Sequence, residues 1–443
     1  MSKRIGLIFI LTLFIIASQA QQQLNYPQVD TNSYELYQQN KWQELIDYAE
    51  KAREQGIDFF YLQVRTGIAF YNLKKYRSAA KWFLKAWEND KSFGWLQEYL
   101  YYSLVFGGRT AEASKIAGIF LPHVKERIGY ADREIISVAL EGGYCFNPDF
   151  EELINAPHNE VAEPEGYYGE AFYLKNYHFE SFDLSHRLTP GLSLNHNLTY
   201  IGINREERVD WGSLNIFPID IRQFQYFLNS SFVLGRKLYV SPSLSAIWGN
   251  YELFVGRLGN SGNKLFSSSL LKYSDFIFST SLWSHFGNFS PGAELNFANI
   301  NDVNFTQASA WLTFYPLSNV NFYITPRVYF KSDEENSFGF NTFGLSGGLQ
   351  AGPVHFYGSY FTGEMENFIE SAGYVVSNFP GTSENKFSGS LYFPTGKKYR
   401  FVLRYIVQDI SEKYRVYNNG VKSGEMNYNY VKHTLTGGIS WNF

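Results

Sequence analysis

Apolar and polar positions alternate along the last thirteen residues of the chain, 431–443. Val431, Leu435, Ile439, Trp441 and Phe443 share one parity with His433 and Gly437, while Lys432, Thr434, Thr436, Gly438, Ser440 and Asn442 share the other. Period two predicts a strand with one greasy face and one wet face. The same alternation recurs upstream. Over 320–331, Val320, Phe322, Ile324, Val328 and Phe330 oppose Asn321, Tyr323, Thr325, Arg327 and Lys331; over 399–408, Tyr399, Phe401, Leu403, Tyr405 and Val407 oppose Arg400, Val402, Arg404 and Gln408. Val138, Leu140, Gly142, Tyr144 and Phe146 open the series. Turn chemistry punctuates it at 189–191, 235–237, 273–275, 316–319, 351–353 and 395–397. That spacing, roughly 35–46 residues, accommodates two strands and a longer loop. Charged stretches at 205–208, 333–336 and 411–427 are expected to be those loops, and 148–165, polar and proline-containing, a further one. The count is about 14 strands (12–16), with 286–304 able to supply an extra hairpin.

Before residue 131 the period is different. Ala52, Ala86 and Phe120 stand 34 apart, as do Tyr34, Ile68 and Tyr102, and Leu45, Ala79 and Ala113. In the middle unit, residues 60–93, Gly67, Ala79, Phe83 and Ala86 occupy the small–small–aromatic–small positions that let two helices approach closely. This unit resembles a tetratricopeptide repeat. The neighbours depart from the pattern, with Tyr101 where glycine is expected and Ala117 in place of the aromatic. Three repeats are expected, the outer two degenerate as end caps are. Trp42, Tyr76, Trp82, Trp87 and Trp95 are read as core rather than as a sugar-binding face.

Residues 1–20 read as a signal peptide: Lys3 and Arg4, an apolar run from Ile5 to Ile16, then Ser18 and Ala20 before an expected cut at Gln21. The expected organisation is therefore α + β multidomain: signal peptide 1–20, a short α-solenoid over 21–130, and an antiparallel β-barrel over 131–443. Composition points the same way. Aromatics reach 19%, with 34 Tyr and 40 Phe, yet mean hydropathy is −0.26 and no apolar run after the leader is long enough for a membrane helix. Loss of Lys3 and Arg4 takes the formal charge from −4 to −6. Mild acidity argues against a nucleic-acid partner. Cys145 is the only cysteine, so no internal disulfide forms.

A final strand ending on Phe443, with Trp441 two residues earlier and Gly438 before it, resembles the C-terminal signal of bacterial outer-membrane β-barrels. That resemblance implies recognition by the barrel-assembly machinery and insertion among outer-membrane lipids. The whole layout is similar to exopolysaccharide exporters and YaiO-like barrels, which implies a periplasmic repeat domain that docks a protein or polysaccharide beside a pore.

Chemistry is sparse. No hydrolase elbow, zinc motif, phosphate loop or cofactor fingerprint is present, so neither enzyme activity nor a cofactor is expected. Ser284-His285 is an adjacent Ser/His pair, and His186 and His196 fall on the greasy parity. Arg187, Arg327, Arg400, Arg404 and Lys432 lie on the wet parity, where they either select anions in a lumen or pair with carboxylates such as Asp183. Three readings follow: a channel or export porin; a closed barrel that anchors the repeats, with 148–165 folded inward as a plug; and, least favoured, an outer-membrane lipid-modifying enzyme that would need Ser284 and His285 within hydrogen-bond reach.

Overall fold

The computed structural model describes residues 23–156, 167–235, 238–258, 264–333, 337–395, 398–419 and 421–443. The expected signal peptide lies outside them. The chain divides into two compact units, the first running to Gly107 and the second from Gly108 to Phe443.

Among the described residues the first unit holds five helices: α1 (Tyr26–Gln38), α2 (Trp42–Glu54), α3 (Phe60–Asn72), α4 (Tyr76–Asn89) and α5 (Gly94–Phe106). Helix starts recur every 34 residues, at 26, 60 and 94 and again at 42 and 76. The turns recur too, since Asn40 and Lys74 both adopt left-handed backbone at φ 56° and 57°. Close packing explains Gly67: a Cβ there would stand 2.6 Å from the Phe83 ring. Ala79, Phe83 and Ala86 are fully buried on the facing helix, and Trp82 and Trp87 are buried beside them. Tyr71 sits among Tyr76, Tyr99 and Tyr102; burial first, and those phenols second, push its pKa up to about 12.

The second unit opens with α6 (Thr110–Ala117) and α7 (Pro122–Arg127), followed by strands. In chain order these are β1 (Glu134–Phe146), β2 (Tyr167–Thr189), β3 (Leu192–Asp210), β4 (Leu214–Leu234), β5 (Leu238–Leu258), β6 (Lys264–Trp283), β7 (Phe289–Ile300), β8 (Val303–Phe314), β9 (Phe322–Asp333), β10 (Gly339–Ala351) and β11 (Val354–Gly363). Two short strands, β12 (Phe368–Glu370) and β13 (Val375–Ser377), precede β14 (Asn385–Thr395), β15 (Tyr399–Asn418) and β16 (Val421–Asn442). A one-turn-plus helix, α8 (Phe150–Asn155), lies between β1 and β2. Fourteen strands close into one antiparallel barrel, sealed where β1 meets β16; β12 and β13 form a separate two-stranded sheet.

Period two settles which way each side chain points. Leu140, Leu198, Phe224, Phe278, Phe297, Leu345, Phe387, Leu403 and Leu435 are exposed on the outside. Asn197, Gln225, Ser245, Ser279, Asn296, Gln307, Ser390 and Thr436 are buried inside. The outside is apolar and the inside polar, the reverse of a soluble barrel.

Three expectations need correction. Tyr273-Ser274-Asp275 is no turn but lies within β6; the turn falls at 284–288. The stretch 205–208 belongs to β3, and 411–427 is almost wholly β15 and β16. The region 286–304 supplies β7 and the start of β8, already within the 14. Strands β2 to β6, β15 and β16 run 19–23 residues, about twice what a membrane crossing needs. Several charges within these long strands are paired. Arg205 meets Glu412, Arg208 meets Asp210 at 2.8 Å, and Lys175 meets Glu206 at 3.1 Å.

Candidate functional site: a plugged lumen

A lumen of this width cannot be filled by wall side chains, because the interior of a barrel grows with strand number. Here the chain fills it. Residues 364–384, between β11 and β14, fold inward and carry β12, a single 3-10 turn (Ser371–Gly373) and β13 with them. Counting round the wall, β4 stands opposite the root of this loop. The loop reaches it: Gln225 Nε2 on β4 donates to the carbonyls of Gly373 and Tyr374, each at 3.3 Å. The plug therefore spans the lumen.

Its attachments are polar and distributed. Gln307 on β8 grips Ile369 twice, donating to its carbonyl at 2.6 Å and accepting from its N–H at 3.2 Å. Ser243 on β5 donates to Ala372 O at 2.7 Å. Asn378 donates to Gln223 Oε1 at 2.9 Å and Asp275 Oδ2 at 3.0 Å. Tyr374 donates to Asp183 on β2, and Lys386 Nζ meets Glu370 at 2.5 Å. Apolar contacts are fewer: Phe368 against Tyr329 at 4.8 Å, Phe379 against Tyr177 at 5.7 Å, and Ile369 in a cluster with Ile247, Ile277 and Ile300.

The wet-parity cations are distributed rather than gathered. Arg187 pairs with Glu134, donates to Ala131 O at 2.6 Å and lies over the Tyr130 ring. Arg327 stands 3.7 Å from Glu294 and 4.2 Å over Trp311. Arg404 pairs with Glu141 at 3.2 Å. Lys432 is buried, its ammonium 5.0 Å over Phe379 of the plug. Arg400 is exposed at the end of the lumen where the chain enters and leaves, over Tyr392. Asp183 meets the plug instead of any of these cations.

That entry end holds a cavity of about 820 Å³, lined by Tyr315, Tyr323, His355, Tyr357, Tyr392 and Arg400, with Thr313, Thr325 and Gln350. A smaller space of about 200 Å³ lies between the plug and the wall near Glu141, Lys386 and Arg404. At the other end the lumen is packed. Beyond the end of β1, Arg415–Asn418 of β15 pair with Tyr167–Glu170 of β2. Beneath that seam Glu412, paired with Arg205, accepts from Tyr428 at 2.9 Å and Tyr430 at 2.7 Å. Within 148–165, α8 tucks against Tyr173 and Tyr414; residues 157–166 lie outside those described.

The remaining sequence candidates are spread over the barrel. Ser284 and His285 sit in the β6–β7 turn at the entry end, where His285 Nδ1 contacts Ser290 Oγ at 2.6 Å and its ring abuts Tyr239. His186 and His196 face outward, 3.1 Å apart, and His196 meets Tyr226. Among the described residues no group of three metal-ligating side chains occurs. Gly438 faces inward, where a Cβ would strike Glu141 at 2.6 Å. Trp441 and Phe443 stack on the outside at 5.0 Å, and the Phe443 N–H donates to Ile136 O at 3.1 Å. Sequence reasoning missed the plug, because nothing in 364–384 is periodic.

The class defined by this geometry is a closed 14-strand antiparallel β-barrel with a chain segment inside it. No family model matches the sequence, and no curated protein matches it. Solved structures of similar outline include a Pseudomonas aeruginosa FadL homologue (8% identity, TM-score 0.43, 76% of this chain and 97% of that one). Others are the P. putida toluene transporter TodX (8%, 0.45, 75% and 94%) and the Ralstonia pickettii toluene transporter TbuX (8%, 0.41, 75% and 94%). At these values the likeness carries no argument about the role of this chain.

Proposed function

We propose that this protein is an outer-membrane channel closed by an internal plug, with its helical unit in the periplasm. The membrane reading rests on the outer face. On β16 the outward side chains are aliphatic or glycine from Leu435 to Ile439, bracketed by His433 and Trp441. The eight residue steps from His433 to Trp441, at about 3.4 Å each and tilted by about 40°, give a belt roughly 21 Å tall, close to the apolar band of such barrels. Tyr399, Phe401 and Tyr405 continue the belt onto β15.

The observation that carries the channel reading is the way the lumen is closed. A barrel serving only as an anchor has no need of a lumen wide enough to admit a separate plug. This plug is held mainly by hydrogen bonds to polar wall residues, with open space below and beside it. Such contacts exchange readily with water, so the plug can yield. The 34-residue helical period supports a tetratricopeptide-like array that docks a periplasmic protein or polysaccharide.

The test is single-channel conductance in a planar bilayer of the full chain and of a variant with 366–382 replaced by a short glycine–serine linker. Mostly silent wild type and steady current steps from the variant are expected. Silence from a correctly folded variant refutes the channel and leaves a membrane anchor for the helical unit.

A further inference from the structure

The entry-end cavity has a chemistry of its own. Its aromatic rings form a continuous arc along the wall. Tyr315 lies 5.9 Å from Tyr323, Tyr323 stacks on His355 at 6.3 Å, and His355 lies 5.8 Å from Tyr392. Arg400 ends the arc, 5.5 Å over Tyr392. The arc is contributed by the β8–β9 turn and by β9, β11, β14 and β15, consecutive round this part of the barrel apart from β10, which supplies Gln350.

The lining excludes some ligands. Among the described residues its aliphatic surface is confined to Val320, Pro353 and Pro394, too little to hold an acyl chain. No carboxylate among the described residues lines it, whereas Arg400 and His355 do. What it offers is ring faces flanked by hydroxyl, amide and imidazole groups, with a guanidinium at one end. A pyranose presents a C–H face to an aromatic ring while its hydroxyls reach sideways to polar groups, and tyrosine serves both needs. A guanidinium is suited to bidentate pairing with a carboxylate. The volume of about 820 Å³ falls within the range of small-ligand sites and holds more than one sugar ring.

We infer that this vestibule is a binding site for an acidic oligosaccharide, with the sugar faces on the Tyr323–His355–Tyr392 arc and a uronate-type carboxylate on Arg400. The inference rests on the channel reading, in which the site is the waiting place below the plug.

Binding is measured without current, by titration calorimetry on the full chain in detergent, with trigalacturonate, maltotriose and octanoate as probes. Trigalacturonate is expected to bind at least tenfold more tightly than maltotriose, and octanoate not to bind. Arg400→Gln removes the preference for the acid and leaves maltotriose unchanged, while Tyr323→Ala weakens both sugars. Each variant is checked for the heat-modifiable migration of a folded barrel, and Tyr323→Phe, which keeps the ring, retains most of the affinity. Octanoate binding better than either sugar, no sugar binding at all, or affinity indifferent to both Arg400 and Tyr323 overturns the inference. Those results leave the conductance of the plug-deleted barrel untouched, whereas a silent barrel that still binds trigalacturonate removes the channel and keeps the site.

Discussion

Replacing Gln307 by alanine tests the plug at its most concentrated attachment. Gln307 and Ile369 are both fully buried, and two hydrogen bonds join the side-chain amide to both backbone groups of Ile369. Truncation strands that N–H and that carbonyl, each costing about 1–3 kcal/mol where water does not reach them. Taking the lower part of the range, the closed state loses about 2–4 kcal/mol. At about 1.4 kcal/mol per factor of ten, the open-to-closed ratio rises roughly 30- to 700-fold. Asn378→Ala removes a second anchor, to Gln223 and Asp275. If the plug leaves as one body the two losses add, and the double variant multiplies the single effects. The assay is open probability in planar bilayers, with heat-modifiable migration as the folding control. A folded double variant that opens no more often than wild type refutes the reasoning, since it shows that these bonds do not hold the lumen shut.

Three other perturbations probe separate parts of the molecule. Arg205→Met leaves the buried Glu412 carboxylate with tyrosine partners only, and is expected to cost about 3–5 kcal/mol; the urea midpoint of the folded barrel checks it, and an unchanged midpoint counts against a structural pair. Gly67→Ala gains about 1 kcal/mol of helix propensity but drives a methyl into Phe83, so net destabilisation of about 1–2 kcal/mol is expected; full-chain melting followed by helical circular dichroism reads it, and Phe83→Leu in the same chain restores the loss. Leu435→Arg places a charge in the middle of the apolar belt and is expected to cost about 2–4 kcal/mol in lipid; equal stability of variant and wild type in refolding from urea into vesicles argues against a membrane-facing β16.

Much of this architecture is written locally. The 34-residue spacing of Ala52, Ala86 and Phe120 reports helix packing, and alternation over 431–443 reports a strand between two media, since both are properties of neighbouring side chains. Strand length was less legible. Tyr273-Ser274-Asp275 has turn chemistry, yet Tyr273 donates to Gln223 and Asp275 accepts from Asn378, partners supplied by the lumen. Arg205 reads as a loop residue until Glu412, 207 positions away, is brought to it by closure of the barrel. The plug is the least legible part. Gln225 and Gln307 look like any polar wall positions, and only the folded loop shows that they face backbone groups rather than water.

The placement of glycine argues that the plug is built to leave the wall at fixed points. Gly363 ends β11 at φ 135°, and a Cβ there would come within 2.3 Å of Asn341 O. Gly381, at φ 106°, marks the return, where a Cβ would meet Glu412 at 2.5 Å. Both conformations are nearly closed to other residues, so each end of the inward segment is set by backbone freedom that only glycine provides. Between them the chain turns through Ser371 and Ala372, whose φ angles of 52° and 57° are strained for side-chain-bearing residues. Ala372 is fixed there by Ser243, and Gly373 beside it by Gln225. Strain held by wall hydrogen bonds and pivots confined to two glycines are the parts of a closure that can move as a unit. A lumen meant to stay sealed is filled more simply by larger wall side chains in a narrower barrel, which is why the plug itself favours passage over anchorage.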